Sequence, residues 1–110
     1  MQRDFTYIDD IANGTLAAID LAAPCEVFNL GNHHPEEVLH LIALLEKYLG
    51  KTAQKKLLPM QPGEVPITYA DITKSQKLLG FSPKVSLEEG LQKFLAWYRE
   101  WNYFSPSLSP

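Results

Sequence analysis

Residues 3–11, RDFTYIDDI, decide how the chain is read, because an alternating polar and apolar run passes there directly into a helical pattern. Phe5, Thr6, Tyr7 and Ile8 favour a pleated, half-buried surface, so a short strand is predicted over Arg3–Ile8. Behind it Ile8, Ile11, Ala12, Thr15, Leu16 and Ile19 recur at the spacing of one helix face, and Asp9 or Asp10 is placed to cap that helix. A strand feeding a helix is the first half of a parallel crossover unit.

Working outward, EVFNLG (26–31) reads as a second strand ending in a glycine turn. NHHPEEV (32–38) then opens a helix, with Pro35 at its first position and Glu36 and Glu37 complementing the positive end of its dipole. Val38, Leu41, Ile42, Leu45, Tyr48 and Leu49 line one face of that helix until Gly50 stops it. KKLLPM (55–60) reads as a third strand, confined to an edge by Pro59, and QPGEVP (61–66) is a loop by composition. Asp71 caps a short helix through Leu79, closed by Gly80. Ser86 and Glu89 form a capping box for the last helix, whose stripe is Leu87, Leu91, Phe94, Leu95, Tyr98 and Trp101. Residues 1–104 thus form one unit, and the tail SPSLSP (105–110) is expected to be disordered.

The alternation predicts an α/β fold with a short, mainly parallel sheet in a two-layer or three-layer arrangement. Three strands make a thin parallel sheet that four helices barely cover, which suggests part of a larger fold.

Composition narrows the function classes. The chain has 110 residues, is 45% hydrophobic and 21% charged, and carries a formal charge of −3 with scattered Lys and Arg, so nothing favours nucleic acid or an anionic membrane. A single cysteine, Cys25, excludes an internal disulfide and points to a reducing cytoplasm. No apolar run approaches the roughly 20 residues that span a bilayer.

Most candidate chemistry dissolves on inspection. Asp9 and Asp10 are adjacent on a strand-to-helix junction, point in different directions and suit capping better than acid–base work. YIDD resembles a polymerase carboxylate pair, but that pair needs a hairpin turn rather than a helix start. His33, His34 and His40 lack the spacing of helical metal ligands, and Tyr48 and Lys51 fall at a helix end. No GxGxxG, GxxxxGK or GxSxG stretch occurs. Two features remain. Arg3 offers a rigid bidentate fork for a phosphate, and MQPGEVP (60–66) holds Gly63, where backbone can approach a ligand, and Glu64, which can accept hydroxyl hydrogen bonds. The residues alone support a soluble α/β fragment and no more.

RDFTYIDDI, VFNLG and LLPMQPGEVPITYADITKSQKLLGFSPKVSLEEGL, in this order and spacing, resemble the C-terminal part of the NAD-dependent epimerase/dehydratase family, the extended short-chain dehydrogenases that act on nucleotide sugars. The likeness runs from Arg3 to about Tyr98, with UDP-glucuronate 4-epimerases the nearest branch. It implies an extended Rossmann-type fold of which this chain is the substrate-binding part. By the family pattern Arg3 contacts the nucleotide diphosphate, and Glu64 holds the ribose from a position where the family carries the shorter aspartate. Gln61 stands where galactose epimerases carry a second phosphate-binding arginine. The resemblance assigns no catalytic, metal or cofactor-binding residue to this chain. The NAD loop and the Tyr-xxx-Lys pair of full-length relatives precede the RDF block, so Met1 is expected to be an internal position used as a start. The expectation is a UDP-sugar-binding piece of an isomerase, inactive alone and associating through its exposed apolar surface. The alternative is a free-standing, non-catalytic nucleotide-sugar-binding or interaction protein.

Overall fold

The computed structural model describes residues 1–104, so the tail expectation at 105–110 lies outside the described residues. The elements run β1 (Gln2–Arg3), α1 (Ile8–Leu21), β2 (Glu36–Glu37), α2 (Val38–Leu49), α3 (Thr73–Leu79) and α4 (Leu87–Phe104). All four predicted helices form. α2 and α3 end at Gly50 and Gly80, as the glycine positions predict. Ser86 Oγ accepts the Glu89 N–H at 3.2 Å, the serine half of the capping box. Asp71 Oδ1 accepts both the N–H and the hydroxyl of Thr73, at 3.0 and 2.7 Å, at the first turn of α3.

The sheet departs from expectation. β1 pairs antiparallel with β2, Gln2 opposite Glu37 and Arg3 opposite Glu36. Parallel pairing among the described residues is limited to an isolated bridge between Gln2 and Ile67, closed by Gln2 N–H to Pro66 O at 2.7 Å and Thr68 N–H to Gln2 O at 3.2 Å. The mainly parallel sheet is therefore not what forms, and the described residues are mostly helical. Glu36 and Glu37 are strand residues and not the first turn of α2, so Pro35 stands outside the helix. The reason is that β1 needs a partner for its backbone groups, and Glu36–Glu37 supply one.

Segments 26–31 and 55–60 do not form strands. A strand exists only where a neighbour takes its N–H and C=O groups; in 26–31 side chains of α3 take two of the carbonyls instead, and 55–60 finds no partner among the described residues. Lys74 Nζ donates to Val27 O and Ser75 Oγ to Asn29 O, which fastens 27–29 to α3. Val27, Leu57 and Leu58 are left 79%, 78% and 64% exposed.

Neither Asp9 nor Asp10 caps α1, whose N-cap is Tyr7 without a side-chain hydrogen bond. Asp10 is buried, and its carboxylate accepts the N–H groups of Lys84 and Val85, each at 3.1 Å. It binds α1 to the segment that leads into α4. Gly14 permits a second close approach, since a Cβ there would stand 2.8 Å from Leu30 Cδ2 and 3.0 Å from Phe81 Cδ1.

α1 packs on α3 and α2 on α4. The buried apolar side chains are Leu44, Ile72, Phe81, Leu87 and Leu95. The radius of gyration, 17.0 Å, exceeds the roughly 13 Å expected for a globular chain of this length, and the molecule is a slab 22 Å thick. So thin a body leaves one face of several helices open, and Ile8, Leu16 and Ile19 of α1 are all exposed.

Candidate functional site

The site begins at the end of β1. Arg3 Nη1 donates to its neighbour's carbonyl, Gln2 O, at 2.7 Å and across the fold to Val65 O at 2.9 Å. Among the described residues its Nε and Nη2 donors make no hydrogen bond, so one edge of the fork stays free. Val65 directly follows the loop that carries the other two candidates.

That loop is closed on itself. Glu64 N–H donates to Gln61 O at 3.1 Å, and the Gln61 N–H donates to Glu64 Oε2 at 3.0 Å. Gly63 sits at φ +87°, in the left-handed region that glycine enters without steric cost. Oε1 has no partner among the described residues and remains an acceptor for hydroxyl groups. Arg3 thus reaches the backbone at Val65, next to the exposed loop that Gln61 and Glu64 close.

Asp4 holds this arrangement in place, and sequence reasoning passed it over. Its Oδ2 accepts the N–H groups of His33 and Ala70, both at 3.0 Å, and its Oδ1 that of Asn32 at 3.1 Å. His33 adopts φ +55°, so successive N–H groups of the 32–34 turn converge into a concave nest, which the carboxylate fills. Gly31 makes the approach possible: a Cβ there would lie 2.6 Å from Ala70 Cβ and 2.8 Å from Asp4 Oδ2. The available signal was a carboxylate one residue from Arg3, hence on the opposite face of the strand, together with a glycine ahead of a polar turn. His33 Nδ1 also meets Ala70 O at 2.6 Å, so the turn is tied to residue 70 twice.

The remaining titratable groups serve the scaffold. His34 pairs with Glu36 at 3.1 Å and His40 with Glu88 at 3.4 Å, each on the surface. Among the described residues no three His, Cys, Asp or Glu side chains gather as a metal would require. The Asp71 carboxyl is held below its ordinary range by the hydroxyl and then the N–H of Thr73. Glu46 is lowered first by the Ala53 N–H and next by Lys55. Glu88 is lowered by its own backbone N–H and then by His40.

No family model matches the chain. An uncharacterized protein of Methanocaldococcus jannaschii is 55% identical over 100 residues, covering 91% of this chain and 31% of that protein. UDP-glucuronate 4-epimerase 5 of Arabidopsis thaliana is 44% identical over 110 residues, 87% of this chain and 25% of the enzyme. The solved UDP-glucuronic acid 4-epimerase of Bacillus cereus, in complex with UDP-glucuronic acid and NAD, superposes with a TM-score of 0.72 at 46% identity, over 81% of this chain and 29% of that one. The chain's homologues include UDP-glucuronate 4-epimerases and its structural neighbours include UDP-sugar 4-epimerases solved with NAD, of whose length it spans about a quarter to a third.

Proposed function

We propose that this chain is the C-terminal, substrate-binding part of an NAD-dependent nucleotide-sugar epimerase of the UDP-glucuronate 4-epimerase kind, that it grips the nucleotide, and that it does not turn over by itself. The observation that supports the reading is the anchoring of Arg3 on Val65 O, next to the loop closed between Gln61 and Glu64, in a chain similar to an enzyme solved with UDP-glucuronic acid. The free edge of the Arg3 fork presents N–H donors to a diphosphate, whose negative charge strengthens each bond. Glu64 Oε1 accepts from ribose hydroxyls, and Gln61 contributes a neutral amide where a second arginine would add charge.

The residues present do not fit NAD. The sequence has no GxGxxG loop, and the strand-to-helix junction after β1 carries Asp9 and Asp10 in the first helical turn, where a pyrophosphate would need the unopposed positive end of the helix. The chain's contribution to epimerisation is then binding energy remote from the reacting carbon, which holds the sugar in register for chemistry performed elsewhere. Exposed Cys25 suits a reducing cytoplasm.

Amide chemical-shift mapping with UDP-glucuronate tests the reading. Shifts centred on Arg3 and on residues 61–65 are expected. Shifts confined to other surfaces, or none, would overturn it. Incubation with NAD and UDP-glucuronate is expected to yield no UDP-galacturonate, and conversion would contradict the claim of inactivity.

A further inference from the structure

Residues 51–60 join the end of α2 to the loop that carries Gln61 and Glu64, and they form no helix or strand. Every one of them is exposed. Among the described residues their polar contacts all converge on Glu46. The Lys51 N–H donates to Glu46 O at 3.3 Å, the Ala53 N–H donates to Glu46 Oε2 at 2.9 Å, and Lys55 Nζ lies 3.0 Å from Glu46 Oε1. Apolar packing adds little. Leu57, Leu58 and Met60 are exposed, and a groove of about 560 Å³ lies between 51–57 and Leu39, Ile42, Leu45 and Leu49 of α2.

The loop is held unequally at its two ends. Beyond Glu64, Val65 O accepts from Arg3 and Pro66 O accepts the Gln2 N–H at 2.7 Å, so β1 fixes that end. Before Gln61 the nearest attachment is that of Lys55 to Glu46. We infer that Glu46 is a positioning residue for the Gln61–Glu64 loop, acting from α2 through the strap 51–60. Its place in the helix suits the task. Glu46 stands one turn before Gly50, which ends α2 at φ +67°, so its carboxylate meets the chain again at Ala53 as the strap begins. α2 is packed on α4, and Arg99 Nη2 donates to Tyr48 O at 2.6 Å. The clamp thus ties the strap to a pair of packed helices.

Of the two side-chain contacts, the Ala53 hydrogen bond does the clamping, because the Lys55 pair is on the surface, where an ion pair contributes little. Without the clamp the free span runs from Gly50 to Gln61, about twice the span from Lys55 to Gln61. The entropy lost in fixing the far end of a flexible span grows with the logarithm of its length, so the ordered loop becomes about two- to threefold less populated. Binding that needs the ordered loop weakens by the same factor. The effect on nucleotide grip rests on the nucleotide reading, whereas the effect on the loop does not.

Three variants of the full chain test it: Glu46→Ala, Glu46→Gln and Lys55→Ala. A glutamine carbonyl still accepts the Ala53 N–H, and Lys55→Ala removes the surface pair alone, so both are expected to resemble wild type. Glu46→Ala is expected to shift the amide resonances of Gln61 and Glu64 in the ligand-free protein and to weaken UDP about two- to threefold by calorimetry. Circular dichroism checks that α2 persists, which alanine favours. Ligand-free shifts confined to residues 46–56, or a Glu46→Gln protein as perturbed as Glu46→Ala, would overturn the inference. So would unchanged UDP affinity in a Glu46→Ala protein whose loop has shifted. A wild type that binds no UDP would instead sink the nucleotide reading, and the ligand-free shifts would still decide whether Glu46 positions the loop.

Discussion

Replacing Asp4 by Asn tests the side chain that accepts the most hydrogen bonds among the described residues. The carboxylate satisfies three N–H groups at 3.0–3.1 Å, two on one oxygen and one on the other. An amide keeps a single carbonyl oxygen. Whichever way it is turned, its NH₂ faces at least one backbone N–H, donor against donor. If the carbonyl takes the position of Oδ2, the Asn32 N–H is orphaned; in the opposite orientation those of His33 and Ala70 are. The bonds from Asn32 and Ala70 are partly buried, and the loss of a partner there costs about 1–3 kcal/mol, with less for the exposed His33. The expected loss is about 2–3 kcal/mol, a large share of the 5–15 kcal/mol that holds a domain of this size. Urea unfolding of wild type and Asp4→Asn measures it, with amide exchange at Asn32 and Ala70 as the local readout. A change below about 0.5 kcal/mol, with protection at both amides intact, would refute the claim that this carboxylate ties β1 to the 32–34 turn and to residue 70. Because Arg3 holds Val65 from the same two-residue stretch, the variant is also expected to weaken UDP binding while leaving the guanidinium untouched.

Further outcomes follow from the same geometry. Asp10→Ala strips the acceptor from two N–H groups at residues 84 and 85 and is expected to cost about 3 kcal/mol in urea unfolding, yet to leave the helical signal of the folded state unchanged, because Asp10 is not a cap; a selective loss of helix would restore the capping role. Gly31→Ala drives a methyl group into Ala70 Cβ and Asp4 Oδ2 and is expected to lower stability by about 1–3 kcal/mol, and an unchanged unfolding midpoint would show that the turn can shift at no cost. Glu46, Glu88 and Asp71 titrate below their ordinary values of 4.5, 4.5 and 3.8, so their contribution is present above those values and fades as pH falls through the lowered ones. Amide exchange at Ala53 and Thr73 is accordingly expected to lose protection, after correction for intrinsic rates, only once the pH has fallen below those ordinary values. Loss beginning near neutral pH would contradict these assignments.

The helices were legible because a helix satisfies most of its backbone within itself, so apolar spacing and a closing glycine suffice. α2, with Val38, Leu41 and Leu45 before Gly50, is the clearest case. Strands depend on a neighbour that local sequence does not contain. EVFNLG and KKLLPM have strand composition, but Val27 O and Asn29 O are taken by side chains of α3, and 55–60 finds no partner among the described residues. Conversely PEEV looked like a helical first turn, and Glu36–Glu37 were claimed by β1. The aspartates show the same limit: an N-cap is a local bond, whereas Asp10 and Asp4 reach residues 74 and 66 positions away. Within the site, Arg3 and Glu64 were singled out by their chemistry and Gln61 by resemblance, and in the folded chain Arg3 reaches Val65 O beside the loop of the other two. That Glu64 closes this loop on Gln61 depends on the turn at Gly63 and was not readable beforehand.

The central claim is that this chain holds a sugar nucleotide by its diphosphate through Arg3. Calorimetric titration of UDP and UDP-glucuronate into wild type and Arg3→Ala measures it most directly. Wild type is expected to bind both. The variant is expected to bind each about ten- to a hundredfold more weakly, the equivalent of the roughly 1.5–3 kcal/mol carried by a charge-assisted hydrogen bond. Equal affinity in the two proteins, or no binding heat in the folded wild type, would contradict the account.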